Sequence, residues 1–194
     1  MKTPGITRPP AVVLLALLAG ACATSPAPRY FRLAALAVPA EAARPAGTAV
    51  IIGPFQLADY LDRPQLVTRD GPNGVTVAGF ERWAEPLDAN FQAVVAANVG
   101  RLTGSDQVLE FPAQAITQAG RRVTGRILRL DVDAAGLAVL EVQWGVLDGA
   151  GAMARPGRVS RYEARSDGQD AAARVAAMNA TVTAFSADVA AALN

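Results

Sequence analysis

Apolar residues change their spacing along this chain, and each change marks an element. From Pro86 onward, Leu87, Phe91, Val94, Val95, Asn98 and Leu102 fall on one helical stripe, with Asp88 near the positive N-terminal end and Gly104 placed to stop the helix. Asn98 reads as a stripe-edge or hydrogen-bonded amide. A second stripe, Val175, Met178, Val182, Phe185 and Val189, predicts a helix over about 169–193; its small residues, Ala171 to Ala173, Ala176 and Ala177, allow a close approach to a neighbour. Between the two helices the period falls to two. Leu128, Leu130 and Val132 alternate with Arg129, Asp131 and Asp133; Ala138, Leu140, Val142, Trp144 and Val146 then alternate with Glu141 and Gln143. With Val159 to Glu163 as a third strand, and turns at Ala134-Ala135-Gly136 and Asp148 to Gly151, residues 122–162 form a meander with one wet face per strand.

Upstream, Tyr30 to Leu33 reads as a first strand, and Pro39 to Gly47 as an Ala/Pro-rich loop. Ala49 to Ile52 is apolar without alternation and ends at Gly53-Pro54, which predicts a strand covered on both faces. Val108 to Phe111 is a short strand ended by Pro112. Between them, Asp59 to Pro64 forms a structured turn, because the residue before a proline is pushed out of helical conformation. Gln65 to Arg69 and Val75 to Val77 flank the dense turn signal Asp70-Gly71-Pro72-Asn73-Gly74 and predict a hairpin. Phe80, Trp83 and Pro86 then lead into the first helix. The order predicts a single α/β domain: a mixed β-sheet with two long helices packed on it, in three layers.

The N-terminus adds an address. Lys2 and Arg8 precede an apolar run from Ala11 to Ala21, shorter than the roughly 20 residues a bilayer span needs, and the run ends in Ala19-Gly20-Ala21-Cys22. That is a signal peptide over 1–21 with a lipobox, and Cys22 is the predicted lipid attachment site; an ordinary thiol after plain cleavage is the alternative. As the sole cysteine, it leaves no partner for a disulfide. Residues 22–29, with Pro26 and Pro28, form a tether reaching at most about 25 Å at ~3.5 Å per residue. Residues 30–194 form the domain.

Composition narrows the chemistry. The formal net charge of +1 loses Lys2 and Arg8 with the leader and becomes slightly negative, which argues against nucleic acid as a partner. With no histidine in the chain, imidazole bases and most zinc sites are excluded. The serines lack a lysine in the mature chain to activate them. Asp59 with Asp62, or Glu81 with Glu85, are the only acid/base pairs on offer, and the nearby Arg63, Arg69 and Arg82 favour structural ion pairing instead. Asp131-Val132-Asp133 resembles the start of a calcium loop but lacks its later acids, so a solvated strand face is the better reading. All but one of the 18 basic residues are arginine; Arg121, Arg122, Arg126 and Arg129 form the densest group, read as a solvated face ahead of a phosphate site. No catalytic residue, metal or cofactor is predicted.

Two blocks carry a resemblance: Tyr60, Leu61, Asp62, Arg63, Pro64, Val67 and Arg69, then Arg82, Trp83, Ala84, Glu85, Pro86 and Leu87. The stretch resembles the PqiC-type, ABC-transport auxiliary lipoprotein family. The resemblance implies the same fold class and a homo-oligomeric ring. It also implies a non-catalytic outer-membrane lipoprotein, facing the periplasm, that docks the tunnel built by an MCE-domain protein and serves transport of phospholipid or other hydrophobic molecules. Ala23, in place of an Asp, agrees with outer-membrane sorting. Tyr60, Asp62, Arg63, Arg69 and Trp83 are the candidate subunit or partner contacts. The alternative is a monomeric lipoprotein that itself carries a lipid, which would need a large apolar pocket.

Overall fold

The structure, a computed structural model, describes residues 26–37, 49–113 and 120–193. The signal peptide, Cys22, Ala23 and the loop predicted over 39–47 lie outside the described residues.

The elements follow the order read from the sequence: β1 (Arg29–Phe31), β2 (Val50–Leu57), β3 (Gln65–Asp70), β4 (Gly74–Trp83), α1 (Leu87–Thr103), β5 (Val108–Glu110), β6 (Arg121–Asp133), β7 (Leu137–Asp148), β8 (Met153–Arg165) and α2 (Ala171–Leu193). They form one mixed eight-stranded sheet with two long helices packed on it. β6 is its axis. One edge of β6 pairs antiparallel with β7, which pairs in turn with β8. The other edge is shared: β2 runs parallel to residues 121–127, and β3 runs parallel to Val132 and Asp133. The turn carrying Asp59 to Pro64 therefore sits where the sheet forks. β5 extends the β2 branch, while β4 and then β1 extend the β3 branch.

Both helices lie on the same face of the sheet. Phe91 of α1 stacks on Phe185 of α2 with ring centroids 5.7 Å apart, and Phe185 also meets Phe55, Trp144 and Tyr162 edge-on or tilted at 5.8, 5.4 and 5.9 Å. Two helices separated by a sheet could not touch, since each packed layer is about 10 Å thick. The arrangement has two layers, which corrects the expected three. β2 suggested the third, but Ile51 on its far face sits between its register partners Leu109 and Arg122, and Arg122 reaches over the Phe111 ring.

Four further expectations shift. β2 does not end at Gly53-Pro54: its register slips between Ile52 and Phe55, and the strand resumes to Leu57. Gly53 suits that slip, with φ 108°, where a Cβ would lie 1.9 Å from the Gln92 side chain. A second slip between Ile127 and Arg129 shifts the phase of β6, so Ile127 is buried and Leu128 only partly so. Leu102, expected on the buried stripe, is 47% exposed. Leu33 leaves β1 and is buried on the helices.

The segment 32–37 is tied to both helices by asparagines. Asn90 accepts a hydrogen bond from the Leu33 N–H at 2.6 Å and donates to the Leu33 carbonyl at 3.3 Å. Asn98 accepts from the Leu36 N–H at 2.8 Å and donates to Ser186 Oγ at 3.2 Å; Asn179 accepts from the Ala34 N–H at 3.0 Å. These amides complete the bonding of a backbone segment that no strand pairs. Asn98 is thus the hydrogen-bonded amide expected. Replacing Asn90 with Ala strands two buried backbone groups of Leu33, so a loss of about 1–3 kcal/mol in urea unfolding is expected. An unchanged midpoint would show that the segment is held by other contacts.

Candidate functional site

The fork in the sheet gathers both blocks of the 59–87 stretch. The long hairpin β3–β4 folds Trp83 back beside Pro64, whose carbonyl accepts the Trp83 N–H at 2.7 Å, and Gln65 pairs with Arg82. β1 closes the other side, with Phe31 opposite Trp83 and the Phe31 carbonyl accepting the Ala84 N–H. Pro86 occupies the N-cap of α1, where its missing N–H costs nothing. The result is an open depression of about 360 Å³ lined by Asp62, Arg63, Pro64, Trp83, Glu85 and Leu87, among others.

The five candidate contacts divide into two groups. Asp62 and Arg63 are exposed at the rim, and neither forms an ion pair among the described residues. Trp83 is 6% exposed and forms the floor. Tyr60 and Arg69 turn the other way and meet at Asp131, a residue whose alternating strand pattern predicts a solvated face. Asp131 is fully buried. Arg69 donates to Asp131 Oδ2 from Nη2 at 2.9 Å and from Nε at 3.2 Å; Arg129 Nε donates to Oδ1 at 2.7 Å; the Tyr60 hydroxyl donates to Oδ2 at 3.0 Å. The guanidinium of Arg69 also lies over the Tyr60 ring, 5.7 Å from its centroid. One carboxylate thus holds two arginines and a phenol, and it fixes the β2–β3 turn and the β3–β4 hairpin to the central strand.

The ion pairing expected with Arg63, Arg69 and Arg82 does not form among the described residues: Arg69 is held by Asp131, and three acids of the stretch find other partners. Glu81 pairs with Arg29 at 2.7 Å, Glu85 with Arg32 at 3.6 Å and Asp59 with Arg126 at 3.5 Å, so these three acids are met by arginines from outside the stretch, while Asp62 has no such partner among the described residues. Asp133, by contrast, behaves as a turn residue, accepting the Leu137 N–H at 2.9 Å. Arg129 is not part of a solvated basic face: it is spent on Asp131, and its register partner Glu141 pairs with Arg161, which also holds Glu163. Among the described residues no cluster of three acids, cysteines or histidines is arranged to hold a metal ion.

Burial, then the adjacent Asp131 charge and hydrogen bond, push the Tyr60 phenol up to about 12; burial and Asp188 do the same for Tyr162. A tyrosine in the unfolded chain ionises near about 10. The folded state therefore keeps its proton longer, and stability present below pH ~10 declines as pH rises towards ~12, because the unfolded state ionises first. Tyr60→Phe should flatten that alkaline decline, leaving the part due to Tyr162. Urea unfolding between pH 9 and 12, about the interval spanned by the two states, measures it; equal slopes for both proteins would contradict the assignment.

The site stands on a single mixed sheet with two helices packed on one face. The chain belongs to the ABC-type transport auxiliary lipoprotein component family, whose model matches residues 31–190; these are the PqiC-like lipoproteins. It is therefore an auxiliary component of an ABC-type transport system, of a family associated with membranes of the cell envelope. Among curated proteins, no sequence matches it. Among solved structures it is similar to an uncharacterised protein, with TM-score 0.72 and 15% identity over 87% of this chain and 100% of that one. It is also similar to protein XCC0632 from Xanthomonas campestris, with TM-score 0.66 and 17% identity over 83% of this chain and 92% of that one. At these identities the likeness is one of fold.

Proposed function

We propose that this protein is the non-catalytic outer-membrane lipoprotein of an MCE-type intermembrane transport system, anchored through lipid on Cys22 and facing the periplasm. There it assembles as a homo-oligomeric ring and docks the end of a tunnel formed by an MCE-domain protein, for movement of phospholipid or other hydrophobic molecules. The observation that carries this reading is the convergence of both blocks on one rigid surface. Trp83 is locked as a floor, Tyr60 and Arg69 are locked on Asp131, and Asp62 and Arg63 are left uncommitted at the rim. Rim charges of this kind steer and orient a partner, while the rigid floor limits what docking costs in conformational entropy.

The rim also supplies the clean test. Arg69→Ala and Trp83→Ala would disturb the scaffold itself, so lost assembly would be ambiguous. Arg63→Glu and Asp62→Arg reverse exposed charges without touching the core. After mild crosslinking in native membranes, the unaltered acylated protein is expected to yield a ring-sized homo-oligomer with an MCE-domain protein, and the charge-reversed protein to lose one or both. Unchanged complexes in the variants would remove the rim from the contact. A monomer that brings lipid and no protein would overturn the docking role.

A further inference from the structure

The β3–β4 hairpin holds a second surface, separate from the rim at Asp62 and Arg63. β4 pairs with β3 along one edge, but its other edge meets β1 only at Glu81, Arg82 and Trp83. Among the described residues, Gly74 to Phe80 is therefore an unpaired strand edge. The run Gly71 to Phe80 contains no charged residue, in a chain that is 18% charged. Val75, Val77 and Phe80 are 42%, 39% and 41% exposed. Edge strands facing water ordinarily carry charge or proline to prevent pairing with another chain. An uncharged, apolar edge calls for a cover.

The tether indicates which cover. β1 runs parallel to β4, with Arg29 opposite Glu81, so the chain traced back from Arg29 heads towards the hairpin tip. Cys22 lies seven residues before Arg29, and Gly74 lies seven before Glu81. An extended tether thus spans roughly 23–25 Å, the same length as the unpaired edge. Any slack in the tether brings the bilayer surface down onto the hairpin. The tip carries one exposed acid, Asp70, while the nearest arginine, Arg69, is turned inward to Asp131. The contact is thus apolar and does not depend on anionic headgroups.

We propose that the tip and outer edge of the β3–β4 hairpin seat against the lipid bilayer beside the anchor, with Val75, Val77 and Phe80 entering the headgroup–acyl boundary. This inference rests on the Cys22 anchor proposed above, so the experiment separates the two. The acylated full-length protein and a Cys22→Ser variant are floated with phosphatidylethanolamine–phosphatidylglycerol vesicles. In the acylated protein, Val75→Trp and Val77→Trp are then compared with Val159→Trp, an exposed position on β8 at the far side of the sheet. The vesicles carry brominated acyl chains, which quench indoles at that depth. Flotation of the acylated protein alone, with both hairpin tryptophans quenched about threefold more strongly than Val159→Trp, is the expected result for side chains seated about 5–10 Å into the boundary. Flotation that fails in both proteins defeats the anchor reading and this inference with it, whereas flotation that survives in Cys22→Ser defeats the anchor reading alone and leaves the quenching comparison to decide this inference. Flotation as expected with hairpin tryptophans no more quenched than Val159→Trp defeats this inference alone. If, with the tryptophans unquenched, a Val77→Cys variant forms a disulfide between copies under mild oxidation, a second copy of the chain is the cover instead.

Discussion

Replacing Asp131 with alanine is expected to cost about 3–5 kcal/mol of stability, because breaking a buried ion pair from one side leaves the partner charges uncompensated. Here there are two of them. Arg69 and Arg129 have side chains only 19% and 17% exposed, and both rest on the one carboxylate. Asp131→Asn keeps the volume and still accepts the Tyr60 hydroxyl, yet leaves two guanidinium groups facing each other without a counter-charge. It should therefore fall nearer to the alanine variant than to the unaltered protein. Urea unfolding by tryptophan fluorescence gives the comparison, with Asp59→Asn as control. Asp59 is fully exposed in its 3.5 Å pair with Arg126, so its loss should leave the midpoint unmoved. If Asp131→Ala and Asp59→Asn behave alike, the cluster is not what holds the hairpin to the central strand.

The consequence reaches the proposed contact surface. Asp62 and Arg63 stand on the turn between Tyr60 and β3, and that turn is fixed at Tyr60 on one side and Arg69 on the other by the same carboxylate. Loss of Asp131 should release the rim as well as the hairpin. An Asp131 variant is then expected to lose partner capture even under conditions where it remains folded. Arg63→Glu, in contrast, should lose capture without losing stability.

How much of this was legible in the sequence depends on the range of the interaction concerned. The helices and the β7 core face could be read directly, since periods of 3.6 and 2 are written locally and Val182, Phe185, Leu140 and Trp144 all face the core as their spacing requires. The hairpin was legible through its turn residues. Layering was not: an unalternating run such as Val50 to Ile52 records burial on both faces but not whether a helix or neighbouring strands provide it. Phase failed where the register slips, because one extra residue at Ile127–Arg129 inverts the alternation and leaves no local mark. The Asn90 and Asn98 pins look, in sequence, like polar interruptions of an apolar stripe. The site divides the same way. Tyr60, Arg69 and Trp83 stood out by composition and resemblance, but the role of Asp131 lies in partners 62 and 71 residues away, and an acid on an alternating strand reads as wet. The one local signal was Arg69 itself, a charged residue in a strand whose neighbours Leu66 and Val67 are buried.

The second large effect lies at Phe185. This ring is fully buried and contacts four others, Phe55 from β2, Phe91 from α1, Trp144 from β7 and Tyr162 from β8, so a single side chain joins both helices to three strands of the sheet. Phe→Ala in a packed core removes the transfer energy of the ring and leaves a cavity, together about 3–5 kcal/mol. The surrounding rings are held by their own elements and have little freedom to collapse inward, which places Phe185→Ala towards the upper end. In a chain of this size that corresponds to a fall in Tm of about 10 °C or more. Phe185→Leu should recover a large part of it, since it restores most of the volume though not the edge-on ring contacts, each worth about 0.5–1.5 kcal/mol. Differential scanning calorimetry of the two variants decides the matter. A Phe185→Ala protein that melts within about 2 °C of the original, a shift equivalent to less than about 1 kcal/mol, would mean that the helices are held to the sheet elsewhere. The asparagine-pinned segment 32–37 would then be the first alternative, because it bonds to both helices without passing through the aromatic core.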